Sequence, residues 1–386
     1  MRAARGGPAR GVVLLALVAG GVAAWGAAGA SGVRGVAPAT VSLPPGVTEL
    51  VLAEDGSRAA AVTVTFDRQR GLPERAVVVV EAPAGRVLWR ANLPAVSCCD
   101  FPVFSTTPDV RQLALGGARG VEVFRSDGVR VASLDLGQVG SLNSALQLWS
   151  DGRGLVAGQV RGLVAGQVDG ELKAFALPAP RLLWQAAVGS ALLGLVLNEA
   201  SGEVLSLTAE GFVALEGRRG TLRYRVRARG VPVAAAFATG RGFVVAWKGA
   251  DEVLGVGFLE GGSWRWQRRL GRVTVPLLEG DPSARWVAVS DFLGHAAWLL
   301  GAGGRLLWSA DGTPAAVGLD RQGLAALVTK DVLEVRAPGA GAVRWRTRLP
   351  GRAHLVRLSG GVLAVLGSQD MQAVLPDRMW LWRVSR

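Results

Sequence analysis

The chain has 386 residues, half of them hydrophobic, with 54 glycines and a formal net charge of +13. That length buries a large core. No run carries the period of a long amphipathic helix, and short apolar runs punctuated by Gly, Pro and Asp argue for an all-β chain. Nearly all the positive charge is arginine, since lysine stands only at 173, 248 and 330. The plain reading of so many arginines is solvated strand faces; the functional one is contact with anionic polymers or lipid headgroups.

Residues 1–30 read as a signal peptide. Arg2, Arg5 and Arg10 precede an uncharged apolar run from Gly11 to Ala24, and Ala28-Gly29-Ala30 is a small-residue cleavage site that leaves Ser31 first. Loss of those three arginines lowers the charge from +13 to +10. An uncleaved anchor is the rival, and the only route to a membrane that the sequence offers. Either way residues 31–386 are expected outside the cytoplasm, as one domain in the periplasm or at the cell envelope.

A short phrase then recurs: a Gly or Pro, three residues, and an aromatic. It ends at Trp89, Trp184, Tyr224, Trp266, Trp308 and Trp345, with a degenerate copy at Gly128-Val129-Arg130-Val131-Ala132. From 89 through 132 to 345 the steps are 43, 52, 40, 42, 42 and 37 residues. A period near forty with turn signals between apolar runs marks propeller blades.

In chain order, Val36–Leu43 is a spare strand. The first unit is Thr48–Ala53, Arg58–Phe66, Arg75–Ala82 and Arg86–Leu93. The second runs from about Phe101 to Leu136 and the third from Ser144 past Trp184. The fourth spans Ala191–Arg229, the fifth Val231–Leu270, the sixth Val273–Ala310 and the seventh Thr313–Leu349. The long step of 52 residues, which spans the third unit, holds a duplication, Gly154–Val160 recurring as Gly162–Val168, absorbed as a longer strand or an added hairpin. After Leu349 only three strands remain: Leu355–Leu358, Gly361–Leu366 and Met379–Val384. Pairing them with Val36–Leu43 closes the ring and removes open sheet edges. The expectation is an eight-bladed β-propeller of four-stranded antiparallel blades closed by the N-terminal strand; seven blades with a tail is the alternative.

Outer strands carry arginine stripes: Arg223, Arg225, Arg227 and Arg229 alternate with Leu222, Tyr224, Val226 and Ala228, and Arg344, Arg346 and Arg348 with Val343, Trp345 and Thr347. Period two places the aromatic on the packed face and the arginines opposite. Charges on an outer strand block edge-to-edge pairing.

At its Gly-x-x-x-Trp phrases the chain resembles the pyrroloquinoline-quinone-like propeller repeats, found in quinoprotein dehydrogenases and in BamB-type lipoproteins of outer-membrane assembly. The resemblance covers roughly residues 32–386. It implies that Trp89, Trp184, Tyr224, Trp266, Trp308 and Trp345 dock one blade on the next. The two cysteines are adjacent, Cys98-Cys99-Asp100. Neighbouring Cα atoms lie about 3.8 Å apart, shorter than ordinary disulfide spacing, so a vicinal disulfide would be strained and would act through local shape. Quinoprotein alcohol dehydrogenases carry a Cys-Cys-Asp after the Trp strand of an early blade, and by that resemblance Cys98 and Cys99 would cover a quinone beside calcium. The following Phe101-Pro102-Val103-Phe104 departs from theirs.

Other chemistry is thinly represented. His295 and His354 stand in no metal-ligand spacing. Asp281, Asp291 and Asp311 sit beside turn residues, where Asp serves the backbone. Gly116-Gly117 and Gly303-Gly304 lack the Lys-Ser/Thr of a phosphate loop. The expected function is a non-enzymatic scaffold that binds envelope proteins as a monomer, without cofactor, metal or nucleic acid. The alternatives are a pyrroloquinoline-quinone- and calcium-dependent dehydrogenase, and a binder of anionic polymers.

Overall fold

The computed structural model describes residues 37–66, 73–93, 103–117, 120–136, 142–161, 169–281, 283–291, 296–311, 314–329, 331–339, 341–370 and 375–384. The leader and the second copy of the duplication lie outside them.

Among the described residues, thirty-two strands form eight four-stranded antiparallel sheets. Blade 1 is β2 to β5, Val47–Leu52, Arg58–Phe66, Pro73–Glu81 and Arg86–Leu93. Blade 2 is β6 to β9, Val103–Thr106, Gln112–Gly117, Gly120–Arg125 and Arg130–Asp135. Blade 3 is β10 to β13, Leu142–Leu148, Gly154–Arg161, Asp169–Ala176 and Arg181–Ala187. Blade 4 is β14 to β17, Leu192–Asn198, Glu203–Thr208, Gly211–Glu216 and Leu222–Arg227. Blade 5 is β18 to β21, Val231–Ala238, Phe243–Lys248, Val253–Glu260 and Ser263–Arg272. Blade 6 is β22 to β25, Pro276–Gly280, Val287–Asp291, Ala296–Gly301 and Arg305–Asp311. Blade 7 is β26 to β29, Pro314–Leu319, Ala325–Thr329, Val332–Arg336 and Val343–Arg348. Blade 8 joins β30 to β32, Arg352–Ser359, Val362–Ser368 and Arg378–Arg383, to β1, Ala39–Ser42, in the order β1-β32-β31-β30. The seven-blade alternative is thereby set aside.

Within a blade the chain runs strictly up and down. The ring therefore has a hairpin end, holding the first-to-second and third-to-fourth turns. Its other end, the connection end, holds the second-to-third turns and the links from each outer strand to the next inner strand.

The two middle strands of a blade are covered on both faces by neighbouring blades, so they read as continuous apolar runs rather than alternating ones. In β15, β24 and β31 every residue is buried. Each Val or Leu buried this way contributes about 1.5–3 kcal/mol relative to exposure. The core divides into eight apolar clusters, one at each seam between blades. The cluster at the closing seam joins Val41 and Leu43 of the N-terminal segment to Leu50 and Val78 of blade 1 and to Leu381 of blade 8.

Closure rests on β1 pairing with β32, from Ala39 opposite Leu381 to Ser42 opposite Arg378. The Leu43 amide extends this pairing by donating to the Asp377 carbonyl at 2.8 Å. Arg90 of blade 1 donates to the Ser42 carbonyl at 2.6 Å, and the Ser359 hydroxyl of blade 8 to the Glu54 carbonyl at 2.8 Å. Both ends of the closing seam are thus tied to blade 1.

One local feature departs from strict alternation. In each of the seven outer strands β5 to β29 the register shifts by one residue just before the aromatic position, for example between Trp184 and Leu182 opposite Ala174 and Phe175. A bulge of this kind bends the strand and re-aims the following side chain. It also corrects the expected faces of the stripes. Leu222 and Val343, expected on the packed face, are 53% and 48% exposed, because the bulge at Arg223 and Arg344 turns them outward.

Candidate functional site

The recurring phrase places a glycine in the turn before six of the seven outer strands β5 to β29, with Pro180 before β13, and an aromatic four residues later in all but β9, where Ala132 stands. Gly85, Gly128, Gly220, Gly262, Gly304 and Gly341 all have φ between 69° and 87°, a region glycine enters without a Cβ penalty. The aromatic of one blade lies on the glycine of the next. A β-carbon would stand 2.4 Å from Trp89 at Gly128, 2.6 Å from Trp184 at Gly220 and 2.6 Å from Trp266 at Gly304. At Gly262 it would be 3.1 Å from Tyr224, and at Gly341 3.3 Å from Trp308. Trp184 also donates its indole N–H to the Gly217 carbonyl of blade 4 at 2.7 Å. Blade 8 has no such turn, because its third and fourth strands come from opposite ends of the chain. There Trp345 meets Trp382, ring centroids 6.4 Å apart. At the closing seam Ala39 takes the aromatic's place against Gly85.

Cys98 and Cys99 fall in the link between β5 and β6, outside the described residues, as does His295. His354 lies on β30 and shares a 3.2 Å hydrogen bond with Ser368; burial pushes its imidazole down to about 4. Asp281 accepts from the Trp286 and Ser283 amides, and Asp291 from those of Thr274 and Val275. Both serve turns. Asp311 closes β25. Among the described residues no three His, Cys, Asp or Glu side chains are grouped to hold a metal ion.

The sequence reading missed a charged group at the ring centre. Glu279 of β22 pairs with Arg357 of β30 and accepts from the Leu319 amide of β26 at 2.9 Å. One carboxylate therefore links the inner strands of blades 6, 7 and 8. Burial raises the Glu279 carboxyl, with Arg357 opposing. Glu49 of β2 keeps an open surface, yet burial pushes its carboxyl up to about 7, again with Arg357 opposing. A charged residue inside the innermost apolar strand of three repeats is the signal that aligning the repeats would have exposed.

Most stripe arginines are engaged locally. Arg223 pairs with Glu203, Arg346 with Glu334 and Arg348 with Asp331, while Arg225 donates to the Val188 carbonyl of blade 3. On β21, Arg265 pairs with Glu260 and Arg269 with Asp251, and Arg268 donates to the Gly304 carbonyl. These contacts make the stripes part of the blade surface rather than a continuous cationic track. Exposed apolar side chains stand at both ends among the described residues: Val87, Val129, Leu182, Leu222, Leu306 and Val343 singly at the starts of outer strands on the hairpin end, and Val231, Val275 and Leu375, 58%, 44% and 40% exposed, on the connection end.

No protein-family model and no curated protein matches the sequence. Among solved structures, the crystal structure of BamB from Moraxella catarrhalis matches with a TM-score of 0.57 at 13% identity, over 90% of this chain and 99% of that one. A chain from the crystal structure of the Mitotic Checkpoint Complex matches with a TM-score of 0.53 at 14% identity, over 74% of this chain and 87% of that one. At these identities the similarity is one of fold, and the fold is a propeller.

Proposed function

We propose that the chain is an exported, non-enzymatic propeller of the pyrroloquinoline-quinone-like type that holds other proteins at the cell envelope. The observation that carries this reading is the exposure of Val231, Val275 and Leu375 on the connection end. Val231 and Val275 flank the same blade end, and loops on a stiff frame are where protein-docking surfaces sit. The eight packed seams supply the frame. The basic, apolar leader supports export, and the BamB-like fold is in keeping with the role.

The test uses the full chain with a C-terminal tag in its own cells. The reading expects a mature N-terminus at Ser31, protection from protease in intact cells but not after outer-layer removal, and cross-linked species larger than the 40.1 kDa chain. A cytoplasmic chain that never cross-links to another protein contradicts it. Titration with pyrroloquinoline quinone and calcium runs beside it; saturable, calcium-dependent quenching of tryptophan fluorescence would favour the dehydrogenase instead.

A further inference from the structure

The connection end of blade 5 brings together two exposed valines, a cavity and basic side chains. Register sets the order across the blade: Val231 lies opposite Lys248, Lys248 opposite Leu254, and Val253 opposite Arg272. The incoming link presses directly on this row, since a β-carbon at Gly230 would stand 2.1 Å from the Lys248 carbonyl oxygen. The outgoing link is fixed by Asp291, which accepts from the Thr274 and Val275 amides at 2.9 and 3.0 Å. Beside it opens a cavity of about 380 Å³ lined by Lys248, Glu252, Arg272, Val273, Thr274 and Asp291.

Two properties of this surface point to its occupant. Val231 and Val275 are 58% and 44% exposed. On the same end Arg227 closes β17, Arg229 lies in the link two residues before Val231, and Arg272 ends β21 three residues before Val275; none of the three has an ion-pair or hydrogen-bond partner for its side chain among the described residues, unlike most arginines of the same outer strands. Lys248 already holds a carboxylate, Glu252 at 2.5 Å, in the turn that the Glu252 amide closes on the Gly249 carbonyl. A guanidinium without a partner is suited to two parallel hydrogen bonds with a carboxylate.

We propose that this end of blade 5 docks an acidic, extended segment of another protein. Its carboxylates pair with Arg272 and Arg229 while an apolar side chain lies against Val231 and Val275. The proposal rests on the scaffold reading and names the chemistry of the partner.

The experiment is a fluorescence-anisotropy titration of the full chain with a short labelled peptide of alternating Glu and Leu. Saturable binding is expected, weakened about tenfold or more by Arg272→Glu and by Val275→Asp, the loss of roughly one charged contact. Arg344→Glu makes the same charge change at the hairpin end of blade 7 and should leave binding unchanged. A peptide of alternating Glu and Ser should bind at least about tenfold more weakly, because the valines then have no apolar partner. The proposal is overturned by equal weakening from Arg272→Glu and Arg344→Glu, by equal affinity for the Ser peptide, which would indicate generic polyanion binding, or by no saturable binding. Melting curves matching the parent show that each variant is folded, and Val275→Ser serves as a milder second variant with the same expected direction. Partner cross-links in cells without peptide binding would sink this inference alone and leave the scaffold reading standing.

Discussion

Arg357 and Glu279 form an ion pair although a whole blade separates their strands. The pair spans the ring centre from blade 8 to blade 6, and the Leu319 amide of the intervening blade 7 closes the group. Contacts between neighbouring blades fix each seam; this one fixes the next-nearest distance. Breaking a buried pair strands the remaining charge, which costs more than the pair itself contributes. Glu279→Gln is expected to destabilise by about 3 kcal/mol, the lower end of the usual range because the Arg357 side chain is 29% exposed. The double variant with Arg357→Gln should lose less than the sum of the two singles. Urea denaturation of the four proteins checks this.

The seams offer a sharper comparison. Gly220→Ala adds a β-carbon at φ 69° that would stand 2.6 Å from Trp184. Gly303→Ala adds one at the same φ with nothing within 4 Å. Backbone strain alone should cost Gly303→Ala roughly 1–2 kcal/mol, whereas strain plus displaced indole should cost Gly220→Ala roughly 2–5 kcal/mol. Equal losses would show that the ring is not seated against the glycine.

Much of this fold was legible because the repeat is carried by local chemistry. A glycine that must adopt positive φ and an aromatic four residues on recur visibly, and between them the apolar runs show where strands fall. The fourth strand of the first unit, expected at Arg86–Leu93, is found there, and the spare strand Val36–Leu43 contains the closing strand Ala39–Ser42. The bulge before each aromatic was not legible, since one inserted residue leaves no compositional trace; Leu222 and Val343 were consequently placed on the wrong face. The Glu49, Glu279 and Arg357 group was missed because its members come from three repeats and meet only when the ring closes. Cys98 and Cys99 lie outside the described residues.

Stability should depend on pH through Glu49 and His354 with opposite signs, Glu279 acting in the same direction as Glu49. The Glu49 carboxyl stands at about 7 in the fold against an ordinary 4.5, so the fold prefers its neutral form. Its contribution is full below pH 4.5 and is lost as pH rises through 7. The His354 imidazole stands at about 4 against an ordinary 6.5, so the fold again prefers the neutral form. Its contribution is full above pH 6.5 and is lost as pH falls through 4. Glu49→Gln should flatten the decline on the alkaline side and raise the urea midpoint at pH 8. His354→Gln should flatten the decline on the acid side. Unchanged pH profiles in both variants would contradict these environments.

Ring closure predicts a specific failure. Deletion of residues 37–43 removes β1, exposes the edge of β32 and opens the cluster around Val41 and Leu43. An unprotected edge next to an opened core favours association between molecules. Light scattering on heating should rise at a lower temperature than for the parent chain. Coincident scattering curves would show that blade 8 does not depend on the N-terminal strand.

The proposed protein-binding face is the connection end of the ring. The most direct measurement places a photo-activated cross-linking side chain at Val275, on that end, and separately at Leu306, 36% exposed at the hairpin end of blade 6, in the full chain inside its own cells. A discrete protein adduct from Val275 and none from Leu306 is the predicted result. No adduct from Val275, or the same adducts from both positions, would contradict it.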